Sequence, residues 1–176
     1  SCRCWYNFIY FGHNPRLVKV LDGGLKKWIA EKKPTTNNLT NIISSNYIAT
    51  EKKELVKNKN QINENILTNQ FTVIDARSKE RFEGTVPEPR KGLRSGSIKN
   101  SFCLPFSLLI NEDHTFISKD KILEKFKSTK VGLDKNAVFT CGSGVTASVL
   151  ALAYSLIDNK YMPIIYDGSW SEFGKN

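Results

Sequence analysis

Cys141 is the residue of this sequence best placed to do chemistry. It follows the apolar run Ala137-Val138-Phe139 and begins the loop Cys141-Gly142-Ser143-Gly144-Val145-Thr146, after which Ala147 continues an apolar stretch. A strand, a glycine-containing loop and a helix in that order put the thiol at the carboxyl end of the strand. Two glycines relax the backbone so that successive N–H groups can turn inward as an anion-binding nest, reinforced by the helix N-terminus. The same field favours the thiolate, which is the nucleophilic form. A buried structural cysteine is the alternative reading, although a core cysteine has no need of a Gly-x-Gly loop beside it. Cysteine phosphatases build a related cradle but grip phosphate with an arginine at the place held here by Ala147. A loop lacking that arginine suits a persulfide, whose anionic sulfur can be held by backbone donors alone.

The elements that must position this loop follow from the patterning of the chain. Cys2 to Phe11 is aromatic and ends at Gly12, as a glycine-capped helix does. Leu17 to Leu21 reads as a short buried strand, Asp22-Gly23-Gly24 as a turn and Leu25 to Ala30 as an amphipathic helix. Pro34 to Asn41, rich in Thr and Asn, has linker composition. From Tyr47 helices and strands alternate. A helix is predicted near Glu51 to Lys57, a polar insertion through Asn65, a strand at Phe71 to Ile74 and a short helix at Lys79 to Phe82. A Pro/Gly/Arg loop to Gly96 leads to a strand at Ser101 to Leu104 and helices at Phe106 to Ile110 and Lys119 to Phe126. The strand Ala137 to Thr140, a helix from Val145 and a strand at Pro163 to Tyr166 close the series. Alternation of this kind predicts an α/β fold with a mainly parallel sheet flanked by helices, binding ligands beyond the carboxyl ends of its strands.

Composition sets the outer limits. A chain of 176 residues holds one α/β domain and a smaller piece. With 40% hydrophobic and 24% charged residues it can pack a core, which excludes global disorder. The net charge of +9 comes mainly from lysines scattered through segments such as Glu51 to Lys59 and Lys119 to Lys130, without interleaved aromatics. That argues for a solvated basic surface rather than a nucleic-acid partner, and for attraction of anionic substrates. The four cysteines, at 2, 4, 103 and 141, have neither disulfide-framework nor zinc-site spacing. Cys103 reads as a core filler, and Cys2 and Cys4 as incidental thiols, with a metal or redox role for that CxC as the alternative. Val145 to Ile157 is shorter than the ~20 residues needed to cross a bilayer, so no membrane partner is expected. No signal peptide opens the chain, which predicts a cytoplasmic location. His13 and His114 read as capping or surface residues without a catalytic role.

The motif CGSGVTA, together with DARSKERFEGTVPEPRKGLRSGSIKNSFCLPF and the closing YDGSW, resembles the C-terminal half of the two-domain rhodanese sulfurtransferases. Within that family a Gly-Ser pair after the cysteine, here Gly142-Ser143, is similar to the enzymes that use 3-mercaptopyruvate, whereas an Arg-Lys pair is similar to those that use thiosulfate. FGHNPRLVKVLDGGLKKW resembles the end of the family's N-terminal rhodanese domain. The resemblance implies a remnant of that domain over 1–34, a linker over 35–46 and a catalytic rhodanese domain over 47–176. It implies sulfur transfer from 3-mercaptopyruvate through a Cys141 persulfide, with release of pyruvate and no metal or organic cofactor. The acceptor would be cyanide or a thiol such as thioredoxin. Thiosulfate as donor, or a noncatalytic sulfur-carrier module, remains the alternative.

Arg81 and Arg90 match the family's substrate-binding arginines, and guanidinium forks suit the planar oxygens of a keto acid. Their other reading is an exposed pair or partners for Glu83 and Glu88. Gly142, Gly144, Val145 and Thr146 would line the sulfur site with their backbone, while Ser143 either orients the substrate carbonyl or satisfies the loop. Asp75, Arg77 and Asp167 read as structural, and Arg94 is undecided. The family's N-terminal domain adds an aspartate and a histidine to the pocket, and neither has a counterpart here. A complementing N-terminal fragment is therefore an expected partner, and the isolated chain is expected to turn over weakly.

Overall fold

The computed structural model describes residues 1–129 and 136–175, so Lys130, the last of the lysines noted above, lies outside it. Among the described residues five strands form one sheet: β1 (Val56–Lys57), β2 (Thr72–Asp75), β3 (Phe102–Cys103), β4 (Ala137–Thr140) and β5 (Ile164–Tyr166). Their order is β1-β5-β4-β2-β3 and every neighbouring pair is parallel. Asp75 lies opposite Thr140 on one side and Cys103 on the other, so the carboxyl ends of the central strands align where Ala76 and Cys141 leave the sheet.

Alternation along the strands fills two layers. Ile74, Ala137, Phe139 and Ile165 face α5 (Lys119–Ser128) and α6 (Ala147–Ile157), while Val73, Val138 and Tyr166 face α3 (Lys59–Thr68) and α7 (Ser169–Phe173). Covering both faces is what a parallel sheet requires. The helix α6 is apolar on nearly every side, because α1 (Cys2–Tyr10) packs over it and buries Trp5, Tyr6 and Ile9. The Tyr6 hydroxyl donates to the Leu55 carbonyl at 3.1 Å. The aromatic N-terminal segment thus buries one face on the α/β domain. It is tied there again where Lys27 meets Asp113 at 2.6 Å and where Asp22 accepts from the Phe116 amide at 2.9 Å.

Three sequence expectations fail locally. Leu17 to Leu21 is not a buried strand: Pro15 starts a 3-10 turn over Pro15–Leu17, and the following residues run extended without pairing. Val18 and Val20 pack inward, whereas Leu17 and Leu21 are 70% and 56% exposed. The stretch Glu51 to Lys57 is not a helix but a 3-10 turn at Lys53–Leu55 followed by β1. Only Leu55 there is fully buried, and edge pairing with β5 supplies the backbone partners. The polar insertion through Asn65 is in fact α3. Asn58 and Gln61 exchange side-chain and backbone bonds as a capping box, and Ile62 is wholly buried. The Asn65 side chain bonds both the amide and the carbonyl of Phe71, closing the turn into β2. The helix α2 (Gly24–Ala30) forms as expected, but Leu25 and Ile29 stay exposed. Residues 33–52 carry neither helix nor strand.

Candidate active site

Cys141 leaves the end of β4 with 2% exposure, at the inner side of the loop predicted to cradle it. The Ser143 amide points at its sulfur, 3.4 Å away. The loop is held from beneath by a residue that sequence reasoning did not single out. Ser169, wholly buried at φ +50°, accepts hydrogen bonds from the amides of Cys141 at 3.2 Å and Gly144 at 3.0 Å, and donates to the Tyr166 carbonyl at 2.8 Å. The backbone of α7 completes the clamp, with the Trp170 amide on the Cys141 carbonyl and the Ser171 amide on the Gly142 carbonyl, both at 2.9 Å. The expected nest is therefore narrower than a ring of inward amides, since the Gly144 amide is spent on Ser169. The amides of Gly142, Val145 and Thr146 meet no protein acceptor among the described residues. Ser169→Ala should leave two buried loop amides without an acceptor and cost about 1–3 kcal/mol in urea unfolding. Unchanged stability would show that the hydroxyl does not hold the loop.

The two loop glycines allow close approach from opposite sides. A Cβ on Gly142 would lie 3.1 Å from Arg81 Nη2 and 3.7 Å from Arg90 Nη1. Arg90 Nη1 in turn donates to the Gly142 carbonyl at 3.3 Å. Gly144 has φ +77°, and a Cβ there would meet Asp167 Oδ1 at 2.5 Å. Arg3, from α1, pairs with Asp167 and donates to the Gly144 carbonyl at 3.4 Å. Val145 is 55% exposed, and Thr146 caps α6 without a side-chain bond.

The loop that brings both arginines to Gly142 is set by α4 (Lys79–Glu83). Ser78 caps its start, accepting from the Arg81 amide, and Gly84 ends it in a left-handed conformation. Beyond it Glu88, with a side chain 1% exposed, accepts from Arg77 Nη1 at 2.8 Å and from Arg81 Nη2 at 2.6 Å and Nε at 3.1 Å. Burial would raise the Glu88 carboxyl, but the hydrogen bonds and charges of Arg81 and Arg77 outweigh it and hold it below the usual carboxylate range. Arg77 is itself buried, gripped by Asp75 at 2.7 Å and by the Gly96 carbonyl at 2.8 Å. Arg77 and Arg94 both lie over the Trp170 ring at 4.5 Å, and Trp170 Nε1 donates to the Arg94 carbonyl. Arg81 is thus the partner of Glu88, one of its two readings, and it also faces the cysteine loop. The structural roles read for Asp75, Arg77 and Asp167 are those observed, and Arg94 joins them.

Cys103 is a correction to the sequence reading. It sits half-buried on the edge strand β3, not in the core, and its thiol bonds the Arg77 carbonyl. Burial first, then the Asp75 charge, pushes this thiol up to about 11. His13 packs its ring against Phe8 at a tilt and edge-on against Tyr47, and His114 occupies a tight turn at φ +67°. Among the described residues no helix is long and apolar enough to cross a membrane, and no cluster of His, Cys, Asp or Glu is arranged to hold a metal.

The family described as Rhodanese-like domain matches residues 51–176. The chain is 37% identical over 171 residues to the 3-mercaptopyruvate sulfurtransferase of Homo sapiens, an alignment covering 97% of the chain and 57% of that protein. It is 38% identical over 172 residues to the thiosulfate sulfurtransferase of Bos taurus, with the same coverage. The crystal structure of SseA from Escherichia coli, a 3-mercaptopyruvate sulfotransferase, superposes with a TM-score of 0.80 at 30% identity, over 97% of this chain and 62% of that one. The chain thus spans little more than half the length of these curated relatives.

Proposed function

The chain belongs to the rhodanese-like domain family, and we propose that it transfers a sulfur atom from 3-mercaptopyruvate to a thiol or to cyanide through a persulfide on Cys141. The Cys141 thiolate attacks the donor's thiol sulfur, forming a sulfur–sulfur bond. The carbon–sulfur bond breaks, its electron pair passes to the enolate of pyruvate, and that enolate takes up a proton. The acceptor thiolate or cyanide then attacks the outer sulfur and returns Cys141 as thiolate. Arg81 and Arg90 bind the donor's carboxylate and keto oxygen, Ser143 orients the carbonyl, and the loop amides hold the outer sulfur. Residues 47–176 carry this chemistry.

The observation that carries this reading is the convergence at Gly142. Two guanidinium groups approach one side of a loop whose Ser143 amide points at the cysteine sulfur. A nucleophile beside paired anion-binding forks fits a small anionic sulfur donor. The net charge of +9 favours the same class of substrate.

The deciding experiment compares donors in one cyanide assay, read as thiocyanate formed and pyruvate released. We expect 3-mercaptopyruvate to exceed thiosulfate in kcat/KM by on the order of tenfold or more. Preference for thiosulfate would overturn the donor and favour the second reading, which the likeness to the Bos taurus enzyme supports. A persulfide that forms once without turnover would mark a sulfur carrier instead. Because the chain spans 57% of those relatives, turnover should be weak alone and rise when a relative's N-terminal portion is added in trans. Thioredoxin is the thiol acceptor to test first. Four free thiols among the described residues fit a reducing, cytoplasmic setting.

A further inference from the structure

We infer that Glu88 is a positioning residue for the donor site, fixing Arg81 so that one edge of its guanidinium is reserved for the donor's carboxylate. This rests on the sulfurtransferase reading for the identity of the donor, but its geometry stands apart from it. Glu88 occupies Nε and Nη2 of Arg81, leaving Nη1 without a protein partner among the described residues. That free nitrogen lies 3.9 Å from the place of a Cβ on Gly142, at the mouth of the cysteine loop. The Arg81 side chain remains 26% exposed, as an open binding edge must be.

Glu88 cannot drift, because its other contact is to Arg77, whose side chain is 1% exposed and bound to Asp75 at the end of β2. Asp75, Arg77, Glu88 and Arg81 thus form a run of alternating charges from the sheet to the site, neutral in sum. A free arginine on a five-residue helix would lose rotamer freedom each time it bound a ligand. Here that ordering is built in, and it favours a planar anion arriving at one edge.

The test is a double-mutant cycle of Glu88→Gln with Arg81→Ala, with two readouts. In sulfur transfer from 3-mercaptopyruvate, Glu88→Gln should raise KM about tenfold with kcat within about twofold, and should add nothing in the Arg81→Ala background. In alkylation of Cys141, the rate ratio of iodoacetate to iodoacetamide should fall several-fold, to the value of Arg81→Ala, because only the anionic reagent uses the guanidinium. Equal effects of Glu88→Gln in both backgrounds, or an unchanged ratio, would overturn the inference and leave Glu88 as a support for Arg77 only. Should Glu88→Gln fail to fold, Glu88→Asp keeps a charge beside Arg77 and is judged by the same readouts. If the wild type moves no sulfur from any donor, the functional reading falls, while the alkylation ratio still decides the role of Glu88.

Discussion

Serine in place of Cys141 should abolish sulfur uptake, lowering transfer by on the order of 10⁴-fold or more, as loss of the attacking atom does in nucleophilic enzymes. The substitution is nearly isosteric and the site is 2% exposed, so the fold should persist, with the hydroxyl taking the Ser143 amide in place of the sulfur. Intact mass after incubation with 3-mercaptopyruvate should show one added sulfur on the wild type and none on the variant. Burial and the Asp75 charge push the Cys103 thiol up to about 11, which disfavours it as a nucleophile at neutral pH. Undiminished sulfur addition to Cys141→Ser would refute the assignment.

The largest loss of stability should follow Arg77→Met. It removes the shared partner of Asp75 and Glu88, two carboxylates whose side chains are each 1% exposed, and takes one guanidinium from the Trp170 ring. Removing one member of a buried ion pair typically costs about 3–5 kcal/mol, because the stranded charge has lost both water and partner. Urea unfolding at neutral pH should show a loss of that size. The pH dependence identifies its source. Glu88 has a depressed carboxyl in the folded wild type, so its contribution is complete above the unfolded carboxylate range and is lost as pH falls through the lower folded value. In the variant Glu88 keeps Arg81 but has lost Arg77, so its carboxyl is less depressed and its contribution fades at a higher pH than in the wild type. The gap between the two proteins should therefore narrow as pH is lowered from neutral toward about 4. A gap that stays constant would place the loss in packing against Trp170, not in the carboxylates.

The sequence by itself determined where Cys141 stands. The apolar run before Cys141 is β4 with the bounds Ala137–Thr140, the Gly-x-Gly loop follows it, and α6 begins at Ala147. It determined the parallel α/β class, because strand alternation and glycine loops are local patterns that neighbouring residues spell out. Even the overlooked α3 was legible in principle, since Asn58 and Gln61 have capping-box spacing. Only the tertiary structure decided what these pieces touch. Ser169 supports the loop from 28 positions away, and its hydroxyl takes the Gly144 amide, one of those that the sequence reading had assigned to the sulfur. Glu88 was visible as a possible partner of Arg81, but its hold on Arg77 as well depends on a loop folding back onto β2. Leu17 to Leu21 has the composition of a buried strand and pairs with nothing in the sheet, since pairing needs a free edge at the right height. Hydrogen bonds and ion pairs between residues distant in the chain form only when packing brings them together, and no local pattern encodes that meeting.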